Sequence, residues 1–338
     1  MTAPLRAVVI GLGQVAWRFD EEPGRKSVWS HVGAYRALAD RFDIVGVSDP
    51  SDEARKQFFT RHAGIPAFSD VGELMRETKP DVVSICSPST THRDVLENVL
   101  ANNAPKAIWC EKPLATSVSD GTTMVQACKD RGTRLVISHA RRWSPLWRSF
   151  RDGMRSDIGT LRSLRVAMPN RLWSIGSHAA DLLCWLGGPI ENTVALAAPA
   201  LTEDSEPAVA ALATFDSGAF GVLQVTGRKA GLIVEAEAIG DRGRLVLRED
   251  RGEIRRETFV NCSRYEGYEE LTELPYPVPT TDPSFSTFTE IANEIWRLAT
   301  GEQTRATCDG AAALAVLNLL DRLAATATEG ETAKVANG

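Results

Sequence analysis

The chain has few cysteines, and none of them stand in close pairs. The six cysteines are scattered and form no C-x-x-C motif, whereas zinc sites and disulfide frameworks usually place cysteines at short, regular spacings. We therefore predict neither a metal site nor a disulfide framework, and we expect a reducing, cytoplasmic setting.

An excess of positive charge and long apolar runs are also missing. The formal net charge is -6, whereas a general nucleic-acid-binding protein usually carries a basic face. No apolar run is long enough to span a bilayer, and the N-terminus enters a strand-like segment without the parts of a signal peptide. These absences argue against nucleic-acid, membrane and export functions and favour chemistry on small molecules.

Strand and helix patterns alternate through the first part of the chain. Such alternation predicts an α/β fold with a doubly wound parallel sheet. A chain of 338 residues is long for one core, so we predict two domains, at 1–140 and 141–330, followed by a loose tail at 331–338. The predicted strands of the first domain are 5–10, 44–48, 67–68, 81–86, 107–110 and 134–138.

A glycine-rich turn with the pattern G-x-G-x-x-A follows the first strand directly. Glycines allow the backbone to bend tightly and to approach a pyrophosphate closely, and amides at the start of the next helix face the phosphates. We predict a dinucleotide site here, with a purely structural turn as the alternative. The motif consists of Gly11, Leu12, Gly13, Gln14, Val15 and Ala16.

Asp49 follows the second strand and favours NAD over NADP. A carboxylate at this point can accept hydrogen bonds from the adenosine ribose, and its charge repels a 2′-phosphate. Its spacing from Gly11 is longer than usual because a polar stretch at 17–30 interrupts the first helix. We interpret that stretch as an insertion beside the cofactor turn, either a lid or a plain surface loop. Helix capping is the alternative role for Asp49.

A Ser/Thr-rich turn follows the strand at 81–86. We predict that Ser87, Pro88 and His92 contribute to the cofactor site, because such a turn offers hydrogen-bond donors there. For His92 a structural role in the first helical turn is the alternative.

The strand at 107–110 stops abruptly at Glu111, Lys112 and Pro113. Proline lacks an N–H group and restricts the residue before it, so it tends to end a strand. Lys112 is thereby placed at the carboxyl end of a parallel strand, where α/β proteins bind ligands. We predict that Glu111 and Lys112 line the cofactor site; two solvated residues at an ordinary strand exit are the alternative.

The second half of the chain shows β-branched and alternating patterns separated by Gly and Asp turn signals. They predict a broad sheet, and a sheet with one exposed face usually finds a partner. The predicted strands are 161–168, 208–215, 218–226, 233–240 and 243–248, and the predicted helices are 285–299 and 311–325.

Several of these motifs together resemble the Gfo/Idh/MocA family of oxidoreductases. They are the glycine turn at 11–16, the Ser-Pro turn at 87–92 and the Glu-Lys-Pro at 111–113, joined by an Arg-aromatic-x-Pro segment at 142–145 and a Gly-x-His-x-x-Asp motif at 176–181. The resemblance implies an N-terminal Rossmann domain and a C-terminal α+β domain. The latter has a large, mostly antiparallel, open-faced sheet that often mediates oligomerisation, so we expect a homodimer or homotetramer.

The resemblance also implies catalytic roles. In the family the lysine of Glu-Lys-Pro lies near the nicotinamide and the motif histidine commonly acts as acid/base, which assigns these roles to Lys112 and His178. Asp181 shares the helical face of His178 and would orient the imidazole or bind substrate, whereas capping and packing of the helix are the alternative. Many members carry an aspartate four residues before the histidine, where this chain has Ser174.

Polar and aromatic residues near these motifs suit a polyhydroxylated ligand. An indole face covers a sugar ring, while Arg and Asn bind hydroxyls or an anionic group. Packing of the tryptophans on the core is the alternative. The candidate substrate-binding residues are Arg142, Trp143, Asn170, Arg171, Trp173, Ser174 and His178.

The motifs and the resemblance together predict an NAD(P)-dependent oxidoreductase. It would transfer a hydride between the nicotinamide and a secondary alcohol or ketone of a sugar, cyclitol or nucleotide sugar. One alternative is an NAD-using hydrolase or lyase without net oxidation. Another is a non-catalytic, cofactor-sensing regulator, which Ser174 keeps open and which Lys112 and His178 disfavour.

Overall fold

The computed structural model describes residues 3–200, 207–228, 233–279, 282 and 284–329. The chain forms two compact units, of which the first comprises Met1–Ser144 and Thr281–Leu317 and the second Pro145–Thr280 and Asn318–Gly338. The predicted tail at 331–338 lies outside the described residues. No helix of the described part combines the length and the apolar character needed to cross a membrane.

A parallel sheet forms the centre of the first unit, with six strands among the described residues in the order β3-β2-β1-β4-β5-β6. Strand order reverses beside β1, and ligands of such sheets bind outside the carboxyl ends at this reversal. The predicted doubly wound sheet is confirmed. Its strands are β1 Leu5–Ile10, β2 Phe42–Ser48, β3 Ala67–Phe68, β4 Val82–Ile85, β5 Ala107–Cys110 and β6 Arg134–Ile137.

Helices connect these strands, and side-chain caps set where most of them begin. The hydroxyls of Ser30, Ser51 and Ser117 and the carboxylate of Asp70 each accept a hydrogen bond from the amide three residues on. These bonds satisfy amides that lack a partner within the helix. The helices are α1 His31–Ala37, α2 Asp52–Arg61, α3 Val71–Thr78, α4 His92–Asn102 and α5 Val118–Asp130.

The polar stretch 17–30 begins just after the glycine turn and ends where α1 begins. The amides of His31 and Val32 donate to the carbonyls of Val15 and Ala16 at 3.2 and 2.9 Å. Residues on either side of the stretch are therefore directly connected by backbone hydrogen bonds. This is the geometry of an insertion into the first helix, and it brings His31 beside the cofactor turn.

A segment late in the chain also belongs to the first unit. Helix α8, Thr287–Thr300, buries Phe288, Ile291 and Ile295 and packs on α1 and β5. The predicted domain boundaries assigned this segment to 141–330, because sequence order alone does not reveal a contact between elements so far apart. Helix α9, Gly310–Glu329, runs across the division between Leu317 and Asn318.

The second unit contains a large, mostly antiparallel sheet, as predicted. Its eight strands among the described residues follow the order β14-β13-β12-β11-β7-β10-β9-β8, and only β7 and β10 pair in parallel. Helices α6, Pro145–Ser156, and α7, Gly176–Gly187, pack against it. The strands are β7 Leu161–Met168, β8 Ile190–Ala198, β9 Ala208–Phe215, β10 Phe220–Val225, β11 Glu235–Gly240, β12 Gly243–Arg248, β13 Glu253–Asn261 and β14 Glu269–Leu274.

Candidate functional site

The glycine turn brings the ends of β1 and β4 into close contact. Gly11 adopts a φ of +88°, and a Cβ atom at this position would lie only 2.6 Å from the backbone nitrogen of Ser87. Only glycine accommodates both the conformation and the approach. Gly13 is exposed, and a Cβ there would meet nothing within 4 Å. The outer side of the turn is therefore open to a ligand, which fits the predicted pyrophosphate site.

Two side chains hold Leu12 in the middle of this turn. The carboxylate of Asp49 accepts a hydrogen bond from the Leu12 amide at 2.8 Å, and the indole N–H of Trp17 donates to the Leu12 carbonyl at 3.1 Å. The other Asp49 oxygen accepts from the Ser51 amide at 2.9 Å. Each carboxylate oxygen can accept more than one hydrogen bond, so Asp49 retains capacity for ribose hydroxyls. Trp17 was not predicted as a residue of this site.

His92 lies beneath the Ser-Pro turn rather than on its surface. Its ring is buried, with Nε2 2.9 Å from the carbonyl oxygen of Ser87 and Nδ1 3.1 Å from that of Leu114. His92 thus connects the loop after β4 with the loop after β5. This placement corrects the prediction of direct cofactor contact in favour of the structural alternative, while Ser87 and Pro88 remain accessible.

Lys112 occupies a half-buried position directly after β5. Burial lowers the pKa of its ammonium group, the negative charge of Glu111 opposes this effect, and the positive charge of Arg141 adds to it. Because β5 lies next to β4, and β4 next to β1, this lysine shares the carboxyl edge of the sheet with the glycine turn. The chemistry available there is hydrogen-bond donation and stabilisation of negative charge by a cation in a partly desolvated place.

Glu111 is buried and faces into the domain. One of its carboxylate oxygens lies 3.1 Å from Nε2 of His31. Burial raises the pKa of Glu111, but hydrogen bonds from His31 and Ser138 and the charge of Lys112 together hold it below its usual value. His31 was not predicted as a site residue, since its spacing from Glu111 forms no motif.

Arg142 and Trp143 lie in the interior of the first unit. Trp143 is 1% exposed, and its indole N–H donates to the carboxylate of Glu294 at 2.9 Å. Arg142 is also buried and donates to the carbonyl of Thr307 at 3.1 Å. The prediction that both residues contact substrate is corrected, because they attach the segment at 142–145 to α8 and to the loop that follows it.

The turn before α7 carries the remaining candidate substrate residues, in the second unit. Asn170 has a φ of +66°, and its side-chain oxygen accepts from the Arg171 amide at 2.9 Å. The Arg171 carbonyl in turn accepts from the amides of Ser174 and Gly176 at 3.2 and 3.0 Å. This compact turn leaves the side chain of Arg171 exposed and those of Trp173 and Ser174 half-buried.

His178 and Asp181 lie one helical turn apart in α7, as predicted. His178 is half-buried, whereas Asp181 is 1% exposed. A proton-transfer role is therefore open to the histidine, and the buried aspartate suits orientation rather than substrate contact. The first unit thus gathers the glycine turn, Asp49, Ser87 and Lys112 at one sheet edge, and the second unit presents the 170–178 segment.

Comparison with known proteins agrees with this architecture. Residues 5–139 match the model of the oxidoreductase family with an NAD-binding Rossmann fold, and residues 158–246 match the GFO/IDH/MocA C-terminal domain. The chain is 30% identical over 121 residues to the scyllo-inositol 2-dehydrogenase (NADP(+)) IolU of Bacillus subtilis, covering 36% of each protein. It is 32% identical over 136 residues to the D-apiose dehydrogenase of Paraburkholderia graminis, covering 39% of this chain and 34% of that protein.

The matched segment thus spans only about a third of the length of these two relatives. A solved structure shares the fold over nearly the full chain. It is the WlbA dehydrogenase of Bordetella pertussis in complex with NADH and UDP-GlcNAcA, which is 21% identical, covers 97% of both chains and gives a TM-score of 0.75. Because two models of one family together match more than half of the chain, the protein belongs to the Gfo/Idh/MocA oxidoreductase family.

Proposed function

We propose that this protein is a cytoplasmic, nicotinamide-dependent oxidoreductase. It transfers a hydride between the cofactor and a secondary alcohol or ketone of a sugar, cyclitol or nucleotide sugar. The observation that carries this proposal is Lys112, a half-buried lysine with a lowered pKa at the sheet edge that also holds the glycine turn. Relatives named as inositol and apiose dehydrogenases support the substrate class.

The cofactor would be held by the residues at this edge. A bound nicotinamide dinucleotide supplies the hydride acceptor or donor. The open side of the glycine turn at 11–16 would receive the pyrophosphate, and Ser87, Pro88 and Lys112 would border the site farther along the sheet edge, with the buried Glu111 behind Lys112.

Cofactor preference is assigned to Asp49. A carboxylate that already accepts from the Leu12 amide is fixed in place, and its negative charge disfavours a 2′-phosphate. We therefore propose NAD as the preferred cofactor. The Bacillus subtilis relative is named for NADP(+), whereas the Bordetella pertussis structure is a complex with NADH.

Lys112 and His178 would share the proton chemistry. Lys112 donates a hydrogen bond to the reacting oxygen and stabilises the negative charge that develops there. His178 takes the hydroxyl proton during oxidation and returns it during reduction. Asp181, buried one turn later in the same helix, orients this part of α7, and Ser174 replaces a carboxylate that would otherwise assist the histidine.

Homo-oligomerisation through the second unit is part of the proposal. Val194, Leu196, Leu212 and Phe220 are each more than half exposed and lie on the adjacent strands β8, β9 and β10. Val194 and Leu212 stand directly opposite each other in the strand register. An apolar patch of this kind marks an interaction surface, and a second copy of the chain is the occupant we propose.

The function is tested by following NADH formation with a panel of inositols, free sugars, glycosides and nucleotide sugars. We expect net NADH formation with at least one member of the panel and slower reaction with NADP. Substrate consumption without net NADH would instead favour the hydrolase or lyase alternative. Cofactor binding without turnover of any panel member would contradict an enzymatic role.

A further inference from the structure

A chain of buried polar groups runs from Tyr35 to Glu111 behind the sheet edge. The hydroxyl of Tyr35 lies 2.8 Å from Oγ of Ser84, and Ser84 Oγ lies 2.9 Å from Nδ1 of His31. Nε2 of His31 lies 3.1 Å from the carboxylate of Glu111. Tyr35, Ser84 and His31 are completely buried. Buried polar groups need partners, and these four satisfy one another in a line that ends beside Lys112.

The chemistry of the four groups assigns the proton in each hydrogen bond between them. An ionised carboxylate only accepts, so Nε2 of His31 carries the hydrogen that points to Glu111. Burial lowers the pKa of His31 and outweighs the hydrogen bond and the charge of Glu111, which raise it, so the ring stays neutral and leaves Nδ1 as an acceptor. The Ser84 hydroxyl then donates to Nδ1 and accepts from the Tyr35 hydroxyl, whose pKa burial raises. All three donors thus point toward the Glu111 carboxylate.

Aromatic packing keeps the His31 ring in this orientation. The ring lies on Trp109, with centroids 3.6 Å apart and planes inclined by 31°, and it meets the edge of Phe288 at 5.7 Å. The indole N–H of Trp109 donates to Oγ of Ser138 at 3.1 Å, and Ser138 also hydrogen-bonds Glu111. The carboxylate is therefore held from two sides.

We propose that His31 is a positioning residue for Lys112. Held in turn by Ser84 and Tyr35, His31 fixes the carboxylate of Glu111 beside the lysine. This negative charge keeps the half-buried lysine in its ammonium form. The consequence for catalysis rests on the proposed function, because it is the ammonium form that donates to the reacting oxygen. The arrangement of protons and charges does not depend on that function.

The direction in which the pKa of Lys112 should change on loss of His31 follows from the groups around the lysine. Burial and the positive charge of Arg141 lower the pKa of Lys112, and the negative charge of Glu111 raises it. Glu111 itself faces His31, Ser138 and Lys112. Burial raises the pKa of the thiols of Cys86 and Cys110, and the charge of Glu111 adds to this effect. Without the His31 donor, Glu111 keeps only Ser138 as a side-chain hydrogen-bond donor, so its carboxylate is no longer fixed beside the lysine. The lysine then has a weaker compensating charge and deprotonates at lower pH.

Two substitutions of similar size test this directly. In His31→Gln the side-chain amide can still donate to Glu111 and accept from Ser84, whereas His31→Met can do neither. Lysine titration is followed by NMR of reductively ¹³C-methylated protein, with Lys112→Arg to assign the signal. We expect the midpoint of Lys112 to fall by about one pH unit in His31→Met and to stay near the wild-type value in His31→Gln. An unchanged midpoint in His31→Met would overturn the proposal.

The proton assignment has its own measurement, which applies even if His31→Met does not fold. ¹⁵N NMR of histidine-labelled wild-type protein distinguishes the tautomers of the five histidines, and His31→Gln identifies the signal of interest. We expect hydrogen on Nε2 and a bare Nδ1 near neutral pH. Hydrogen on Nδ1 alone, or a doubly protonated ring, would contradict this assignment of the protons.

Activity then separates this inference from the proposed function. With an active substrate, the alkaline limb of the kcat/KM profile should move to lower pH in His31→Met and recover in His31→Gln, while KM for NAD changes little. A titration shift in a protein without turnover would support the positioning of Lys112 and reject the oxidoreductase. Turnover with an identical alkaline limb in all variants would reject the positioning role instead.

Discussion

The carboxylate of Asp49 accepts a hydrogen bond from the backbone amide of Leu12 at 2.8 Å, and it thereby joins the end of β2 to the glycine turn after β1. Asp49 thus has one observed purpose and one proposed purpose. It stabilises the turn, and we propose that its negative charge meets the adenosine ribose of a dinucleotide.

Substitution of Asp49 should separate these purposes. Asp49→Asn can keep the side-chain oxygen that accepts from Leu12 but removes the charge, so we expect the preference for NAD over NADP to decrease by about tenfold with little loss of stability. Asp49→Ala loses the hydrogen bond as well and should also weaken NAD binding. The measurement is kcat/KM for both cofactors, together with thermal unfolding. An unchanged cofactor ratio in Asp49→Asn would contradict the assignment.

Replacement of Lys112 should affect turnover far more than binding. Lys112→Met removes the cation but keeps an apolar stem of similar length, so we expect kcat to fall by about two to four orders of magnitude. The glycine turn and Asp49 are unaffected, so the affinity for NAD should remain close to that of the wild type, as measured by calorimetry. Near-normal turnover would show that Lys112 is an ordinary charged residue at a strand exit.

Trp143 and Trp173 make a matched pair, because one is buried and the other half-exposed. Trp143→Phe leaves the buried Glu294 carboxylate without its indole donor, so we expect a loss of roughly 1–3 kcal/mol in the free energy of unfolding and little change in substrate KM. Trp173→Phe should do the reverse and raise substrate KM without loss of stability. Denaturant unfolding and steady-state kinetics on both variants check this contrast. A rise in KM in Trp143→Phe with unchanged stability would reverse our placement of the two residues.

A charge on the exposed sheet face should disrupt the proposed oligomer. Phe220 is 59% exposed on β10 beside the other apolar residues of the patch, and Phe220→Asp would require burial of a carboxylate in the interface. We expect light scattering to show a lower mass for this variant. Phe59, which is 54% exposed on α2 in the first unit, provides the control, and Phe59→Asp should keep the wild-type mass. A wild-type monomer would reject the oligomer outright.

Much of the Rossmann sheet was predictable because its strands are buried on both faces. β5 appears in the sequence as a short, continuous apolar run and β1 as a run interrupted only by Arg6, and their observed bounds agree with the predicted ones. β8, β13 and β14 were missed because most of their residues are exposed or half-exposed and show no regular alternation. A strand at the edge of an open sheet has little apolar pattern to recognise.

The site was predictable where a motif defines it and not elsewhere. The role of Gly11 could be predicted because the turn requires a glycine. The position of Lys112 could be predicted because Pro113 ends the strand directly after it. His31 was missed because its partner Glu111 comes from a distant strand and the insertion hides its spacing from the glycine turn. Trp143 was misplaced since a tryptophan at a crossover gives no local sign of whether it faces a ligand or the core.

Transfer of deuterium from substrate to cofactor would show whether the protein moves a hydride directly between them. A substrate found active in the panel, deuterated at the carbon that carries the reacting hydroxyl, is incubated with the enzyme and NAD, and the reduced cofactor is analysed by mass spectrometry. We expect the deuterium to appear in the nicotinamide ring, and we expect this transfer to be lost to the same extent as turnover in Lys112→Met. Reduced cofactor without deuterium, or consumption of the substrate with its deuterium released to water, would contradict direct hydride transfer.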